Sequence, residues 1–172
     1  MATNRRPATE AEARALASSV RLRILRLCLE QALTNKEIAA RLGAHPATTL
    51  HHVRKLTGTG FLVAEPSRPG PRGSTEIPYR ATGKSWAMDV RESGVTGGNA
   101  AILDAFLEEV ELVDIEECDF TRLGLRLNAE GRAELHRRMA EVLEEFRRMR
   151  PPPDGEAYSL FLALHRDVAR DA

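Results

Sequence analysis

The sequence predicts a mainly α-helical protein with a small amount of β structure, divided into a basic N-terminal part and an acidic C-terminal part. Apolar residues recur at helical spacing through most of the chain, and alternation is confined to short stretches. Up to Val90 there are 14 Lys and Arg against 7 Asp and Glu, and from Arg91 onward there are 11 against 18. The neutral overall charge therefore conceals a half of +7 joined to a half of −7.

Composition places the chain among ordinary globular proteins. Its 172 residues are 42% apolar and 29% charged, which is enough to bury a core. No apolar run approaches membrane length and no hydrophobic signal region follows the N-terminus, so a cytoplasmic location and no membrane partner are expected. Cys28 and Cys118 lack the spacing of a disulfide framework or a zinc knuckle, and we interpret both as core residues.

Two helices are predicted before residue 33. Thr9 and Glu12 have capping-box spacing and open a first helix of about eight residues. From Ser19, the stretch SVRLRILRLCLEQA repeats apolar residues at helical spacing and turns its arginines elsewhere. This second helix is expected to be the central helix of the core.

Two shorter helices follow, separated by a tight turn. A second capping box, Thr34 and Glu37, opens a two-turn helix, and Gly43 stands where a left-handed C-terminal cap is needed. Pro46 suits the first position of the next helix, which should end near residue 57 at the Gly-Thr-Gly sequence. His45 is an unremarkable residue type for the N-cap of that helix.

After Gly60 the pattern becomes extended. FLVAE and TEIPYRAT predict two strands of a hairpin, joined by the Pro- and Arg-rich tip PSRPGPRGS. The prolines are expected to keep this ribbon from pairing with other strands. Residues 83–98 have the composition of a linker, which gives an N-terminal domain over 1–82 and a C-terminal domain over 99–172.

The C-terminal domain is predicted to be α+β, with two helices and a two-stranded sheet. A helix from about Asn99 to Glu116 has an apolar stripe, and a second from Asn128 to about Met149 ends at three prolines. Between and after them, TRLGLRL and YSLFLALH alternate leucines with other residues, as paired half-buried strands do.

Helix, glycine turn, helix and ribbon is the order that presents a second helix to the major groove of DNA. On a helical wheel, the apolar residues of the second helix cluster on one side. The polar and basic residues of the other side and its flanks, the candidates for DNA contact, are Thr48, His51, His52, Arg54 and Lys55.

Further DNA contacts are predicted outside that helix. Arg68 and Arg72 at the tip of the ribbon are assigned to phosphates, and Asn35 and Lys36 open the first helix of the pair. A polar helix face is more often simply solvated than bound to DNA. The turn, the ribbon and the basic half together favour DNA contact.

The same residues resemble the winged helix-turn-helix domain of ArsR-type bacterial transcriptional regulators over about residues 13–82. The segments that carry the resemblance are LASSVRLRIL, TNKEIAARLG, PATTLHHVRKL and GTGFLVAE, in that order. It implies a homodimer on a roughly palindromic operator, with Thr48, His51 and Arg54 near bases and the wing along the backbone. Many relatives have Ser where this chain has Leu50, so the operator preference does not carry over.

Members of this family often sense metals, but the cysteine pair that many use is missing here. Adjacent histidines on a helix point about 100° apart and do not close on one ion, so no metal site and no cofactor are expected, although ligands shared across a dimer would not be visible. A small-molecule effector is a further expectation. Its pocket would be lined by Trp86, Phe106, Phe120 and Tyr158, which are equally well explained as ordinary core residues.

The acidic half could serve in two ways. Its two helices could pair across a twofold axis to form the dimer, or their stripes could cover only the sheet of their own chain. The leading hypothesis is a DNA-binding transcriptional regulator without catalysis, because the sequence has no nucleophile-base motif and no phosphate-binding glycine loop. The alternative is a winged helix that no longer binds DNA and serves as a protein-interaction module.

Overall fold

The computed structural model describes residues 5–90 and 93–170. The mainly helical class with little β structure is confirmed. The helices are α1 (Glu10–Leu16), α2 (Ser19–Leu27), α3 (Asn35–Leu42), α4 (Pro46–Gly58), α5 (Gly98–Val110) and α6 (Ala129–Arg148). The strands are β1 (Arg6–Pro7), β2 (Leu33–Thr34), β3 (Leu62–Ala64), β4 (Arg68–Pro69), β5 (Thr75–Glu76), β6 (Pro78–Ala81) and β7 (Met88–Asp89). In the described part of the chain, no helix is both long enough and apolar enough to cross a bilayer.

Backbone contacts divide the described chain into a first unit, Arg5–Asp114, and a second unit that begins at Ile115. The division lies after α5, whereas composition suggested a linker at 83–98. Residues 84–87 form a 3-10 helix, and Met88 is buried in β7, which pairs in parallel with β1. Part of the proposed linker therefore belongs to the core of the first unit, and Arg91 and Glu92 within it lie outside the described residues.

Both predicted capping boxes are confirmed. The Thr9 hydroxyl accepts the Glu12 N–H at 3.3 Å and the Glu12 carboxylate accepts the Thr9 N–H at 2.9 Å, with the same reciprocal pair between Thr34 and Glu37. α2 ends at Leu27, about a turn before the predicted end. The chain turns there because the next residues must reach the sheet, where Leu33 and Thr34 are buried.

The core of the first unit lies where α2, α3 and α4 meet the sheet. Its largest fully buried side chains are Phe61, Ile24, Ile38, Leu56, Leu62 and Val53. Cys28 is also fully buried, and burial raises the pKa of its thiol to about 11. A thiol held protonated in this way is neither a good nucleophile nor a ready metal ligand, in agreement with its interpretation as a core residue.

The two strands of the predicted ribbon, β3 and β6, are part of a three-stranded antiparallel sheet of order β2, β6, β3. β3 pairs with β6 as predicted, with Leu62 opposite Ala81. The expectation that prolines keep the ribbon from other strands was wrong, because β2 pairs with the free side of β6 and places Thr34 opposite Pro78. Pro78 is the first residue of its strand, where a missing N–H is tolerated, and its carbonyl still accepts the Glu65 N–H at 2.9 Å.

The second unit contains α6 but no strand within residues 115–170, so the predicted two-stranded sheet is not formed. Residues 121–127 and residues 163–167 both line one cleft, and neither segment forms a strand. α6 is capped by Asn128, whose side chain accepts the Gly131 N–H at 2.8 Å. No side chain from 115 to 170 is fully buried.

Glu12 joins three segments of the first unit. Its carboxylate, only 9% exposed, accepts two hydrogen bonds from Arg6 at 2.6 and 3.0 Å and lies 2.7 Å from the Lys84 ammonium. The Arg6 hydrogen bonds, more than the opposing effect of burial, hold the pKa of Glu12 well below its usual value. The N-terminal strand, α1 and the chain after the wing are therefore tied together through one carboxylate.

We expect Glu12→Gln to lower the free energy of unfolding by about 2 kcal/mol, because it leaves two cations facing an uncharged amide. Glu10→Gln on the same helix is the matched control and should cost less than about 0.5 kcal/mol, since its pair with Arg14 is exposed. A depressed folded pKa adds stability above the unfolded carboxyl value of about 4.3, and this stability is lost as pH falls toward the folded pKa. Urea unfolding between pH 7 and pH 3 should show the unfolding free energies of the wild type and Glu12→Gln converging as pH falls. A difference that stays constant over this range would contradict the assignment.

Candidate nucleic-acid interface

The turn between α3 and α4 fixes the direction of the second helix. Gly43 has φ 62°, a left-handed conformation that favours glycine, and the next N–H, from Ala44, reaches back to the Ala39 carbonyl at 2.9 Å. The Asn35 side-chain amide donates to the Pro46 carbonyl at 2.9 Å, joining the first residues of the two helices. Asn35, predicted to contact DNA, thus donates one side-chain hydrogen bond within the protein.

α4 begins with an N-cap that residue type did not favour. The His45 imidazole Nδ1 accepts the Ala47 N–H at 3.2 Å, which satisfies one of the free donors at the start of the helix. The Thr49 hydroxyl donates to the His45 carbonyl at 3.2 Å and the residue is almost fully buried. The first turn of the helix is held by these two hydrogen bonds as well as by Pro46.

The two faces of α4 differ sharply. Thr49, Val53 and Leu56 are buried in the core. The residues on the opposite face, Thr48, His51, Arg54 and Lys55, are all exposed. α4 has no acidic residue, and Arg54 and Lys55 form no ion pair with any residue that the structure describes. The predicted outward face is therefore present as a cationic, hydrogen-bonding surface.

His52 is not part of that outward surface. Its ring is half-buried, and burial, with the positive charge of Arg21 and the neighbouring His51, lowers its pKa. Its Nδ1 is buried without a hydrogen-bond partner in the described part of the chain. A neutral, half-buried imidazole is a weaker candidate for a phosphate contact than the exposed ring of His51. The centroids of the two rings are 5.7 Å apart.

The wing is attached to α3 by two ion pairs. Its tip is a small hairpin in which β4 pairs with β5. Arg68 lies 2.6 Å from the Glu37 carboxylate, and Lys36 lies 3.2 Å from the Glu76 carboxylate. Both basic residues were predicted to contact DNA, Arg68 through phosphates, and in this structure both have a carboxylate partner. The side chain of Arg72 lies outside the described residues.

Sequence reasoning did not identify Glu37 and Glu76 as part of this surface. Glu37 was assigned only a capping role, and the hydrogen bond from the Thr34 backbone N–H is the main cause of its lowered pKa, with Arg68 contributing less. Pairing between α3 and the wing depends on how the hairpin folds back, for which the chain carries no local pattern.

The four aromatics proposed to line an effector pocket are distributed over both units. Trp86 lies under the Arg5 guanidinium at 4.7 Å, and Phe106 lies on α5. In the second unit Phe120 is exposed, and the equally exposed Tyr158 donates a hydrogen bond to Glu156 at 3.0 Å. Neither of two cavities, one in each unit, has any of the four in its lining. No cluster of three His, Cys, Asp or Glu suitable for a metal occurs within residues 5–90 and 93–170.

Comparison with known proteins agrees with this geometry. A family model described as a helix-turn-helix domain matches residues 16–64, which span α2, α3, α4 and β3. The comparison with curated proteins gave no match.

Among solved structures, one similar chain is Mb0332 of Mycobacterium bovis, a homodimeric winged helix-turn-helix DNA-binding domain described as a possible ArsR-family transcriptional regulator. It is 23% identical, with 58% of this chain and 76% of that chain covered and a TM-score of 0.36. A mutant of ZitR from Lactococcus lactis is 20% identical, with 75% of each chain covered and a TM-score of 0.34. Residues 16–64 are thus similar to a helix-turn-helix domain, and in this chain an antiparallel β-ribbon follows α4.

Proposed function

We propose that the protein is a sequence-specific transcriptional regulator that inserts α4 into the major groove and binds an inverted-repeat operator as a homodimer. The observation that carries the proposal is the outward face of α4. Four exposed polar or basic residues lie opposite a buried apolar face, on a helix without a single carboxylate.

The chemistry of that face suits base edges and phosphates. Arg54 offers a planar pair of donors that matches guanine N7 and O6, and Lys55 a mobile charge for a phosphate. Thr48 presents a hydroxyl and a methyl group, and the exposed His51 donates or accepts. We therefore assign base contacts to Thr48, His51 and Arg54, and backbone contacts to Lys55.

The wing and the start of α3 supply further contacts to the DNA backbone. Arg68 and Lys36 are exposed and paired with Glu37 and Glu76 at the surface, where such ion pairs contribute little to stability. A phosphate oxygen replaces a carboxylate at small cost, because both accept the same charged donors. We infer that these two side chains exchange carboxylate for phosphate when DNA is bound.

Homodimerisation is assigned to α5. The helix is anchored on α2 through Glu108, which accepts hydrogen bonds from Ser19 at 2.9 Å and from Arg23 at 2.6 Å, and through the buried Ala101 and Ala105. Its larger apolar residues point away from this contact. Ile102, Leu103 and Leu107 are 43%, 44% and 47% exposed.

A twofold contact through α5 would suit the task better than one through α6. α5 belongs to the same unit as α4 and packs on α2, so a dimer built on it would fix the distance between the two α4 helices. That distance must match half-sites about one helical turn apart, or a multiple of it. The apolar stripe of α6, whose Val142 and Phe146 are also exposed, is the competing interface.

The experiment that tests the proposal is selection of bound sites from random duplex DNA at about 0.15 M salt. Enrichment of an inverted repeat is the expected result. Recovery of unrelated sequences, with and without cell extract as a source of effector, would refute sequence-specific binding.

Arg54→Ala is expected to weaken operator binding by about 1–3 kcal/mol and to relax the preference at one base position of each half-site. The side chain is exposed and unpaired among the described residues, so the thermal midpoint should stay almost unchanged. Arg138→Ala is the matched control, since it removes an exposed arginine of α6 that is paired with Glu134. Fluorescence anisotropy with operator and mismatched duplexes measures both; equal affinities for wild type and Arg54→Ala would move the contact off α4.

Salt dependence separates DNA binding from the alternative of a protein-interaction module. Contacts to several phosphates release counterions, so log affinity should fall linearly with log salt, with a slope of about −0.9 for each phosphate. Arg68→Ala should make that slope less negative by about 1 without changing sequence preference. A loss of discrimination in Arg68→Ala would contradict its assignment to the backbone.

A further inference from the structure

The second unit contains a cleft whose charge is opposite to that of the acidic half around it. The cleft has a volume of about 1190 Å³ and lies between residues 121–128, the start of α6 and residues 163–170. Its charged lining consists of five arginines and one carboxylate, with two histidines beside them. The five are Arg122, Arg126, Arg132, Arg166 and Arg170. Asp167, the carboxylate, lies 3.9 Å from Arg170.

The arginines of α6 outside the cleft are neutralised by the helix itself. Arg137 lies 2.6 Å from Glu134 and 2.7 Å from Glu141, and Arg147 and Arg148 both lie 2.7 Å from Glu144. Inside the cleft the situation differs. Arg122, Arg126 and Arg132 form no hydrogen bond and no ion pair with any residue in the described ranges. Three guanidinium groups thus share one cleft, none of them paired with a carboxylate of the described residues.

The cleft also has an apolar wall and a close-packed side. The apolar surface comes from Leu123, Leu125 and Leu164. On another side, the N-cap residue Asn128 is followed at intervals of about one turn by Arg132 and His136 of α6. A Cβ at Gly124 would lie 2.5 Å from a guanidinium nitrogen of Arg170. The absence of a side chain there lets Arg170 lie against the backbone of the 121–127 segment.

We propose that this cleft binds a small organic anion with at least two carboxylate or phosphate groups on an apolar body. Guanidinium groups bind such oxygens through paired, charge-assisted hydrogen bonds, and clustered like charges repel one another until an anion enters. The leucine wall removes the apolar part of the ligand from water. The proposal does not depend on DNA binding by α4, since every residue involved belongs to the second unit.

Isothermal titration of the full-length chain at low ionic strength tests it, with decanedioate, pyrophosphate and decanoate as probes. Decanedioate has two carboxylates on an apolar chain, pyrophosphate has the charges alone, and decanoate has one carboxylate. We expect decanedioate to bind once per chain and at least 10-fold more tightly than either of the others. The double variant Arg126→Gln/Arg132→Gln should lose at least 10-fold in decanedioate affinity.

Arg138→Gln/Arg148→Gln is the matched control, because it removes two exposed arginines of the same unit that are paired outside the cleft. Unchanged affinity in this control supports the proposal, and equal losses in both double variants would reduce the effect to net charge and overturn it. Absence of decanedioate binding by the wild type would also overturn it. If the cleft variant instead binds decanedioate normally but loses affinity for random duplex DNA, the arginines serve the DNA backbone and the proposal fails. Should its circular dichroism change, Arg122→Gln and Arg126→Gln are titrated singly under the same criteria.

Discussion

The double variant Leu103→Glu/Leu107→Glu is expected to be a monomer at concentrations where the wild type is a dimer, and to bind its operator at least 100-fold more weakly. The two leucines are neighbours on the exposed side of α5, 44% and 47% accessible. Facing their counterparts across a twofold axis, four new carboxylates would meet in a surface that must lose water, which is costly for unpaired charges. An operator with two half-sites then loses the gain from simultaneous binding.

Sedimentation equilibrium measures the assembly state, and anisotropy with single and paired half-sites measures the loss of joint binding. The matched control is Val142→Glu/Phe146→Glu, which places the same charges on the exposed stripe of α6. The fold of the first unit should be unaffected by either pair, since all four side chains are exposed. A dimer that survives the α5 pair and dissociates with the α6 pair would transfer the interface to α6.

Phe61→Ala is expected to lower the free energy of unfolding by about 3–5 kcal/mol, the largest effect of a single substitution that we predict. Phe61 is 1% exposed and stands where α4 gives way to the wing. Its N–H donates to the Leu56 carbonyl at 2.9 Å, its own carbonyl accepts the Thr82 N–H at 3.0 Å, and the Lys84 ammonium lies 5.2 Å from its ring. Removing the ring leaves a cavity between the recognition helix and the sheet.

Urea unfolding followed by far-ultraviolet circular dichroism measures the loss. Val63→Ala, two residues further along the chain in β3 and 49% exposed, is the control and should cost less than about 1 kcal/mol. Since the unfolding energy of a domain is commonly 5–15 kcal/mol, Phe61→Ala should leave a marginal protein. An equally small loss in both variants would show that the wing base is not part of the cooperative core.

Local signals predicted the four helices that precede the wing. The capping boxes at Thr9 and Thr34 and the left-handed Gly43 each involve residues only a few positions apart. Their geometry can therefore be predicted from the sequence pattern alone. The apolar side of α4 was likewise readable from spacing. Pairing of β2 with β6 was not, because it joins residues far apart in the chain and β2 has only two residues.

The candidate site was predictable to a similar degree. The exposed positions of α4 were predicted correctly from helical spacing. The partial burial of His52 and the hydrogen bond from Asn35 to Pro46 depend on residues of other elements, which spacing does not show. In the second unit, alternating leucines predicted strands at 121–127 and 158–165, but alternation specifies only a surface with two unlike sides. The arginines between these leucines, Arg122 and Arg126, line a cleft instead of a strand face.

Thr34 belongs to two structures at once. It is the last residue of β2, opposite Pro78 of the wing's central strand, and it is also the N-cap of α3. No flexible joint separates the ribbon from the helix pair, and Arg68 adds a second attachment at the tip. If the protein binds DNA as proposed, the wing and α4 keep a fixed spacing, so the DNA has to adapt its groove width and bend to them. Stiff or ill-shaped sequences should be disfavoured even at base pairs that no side chain touches.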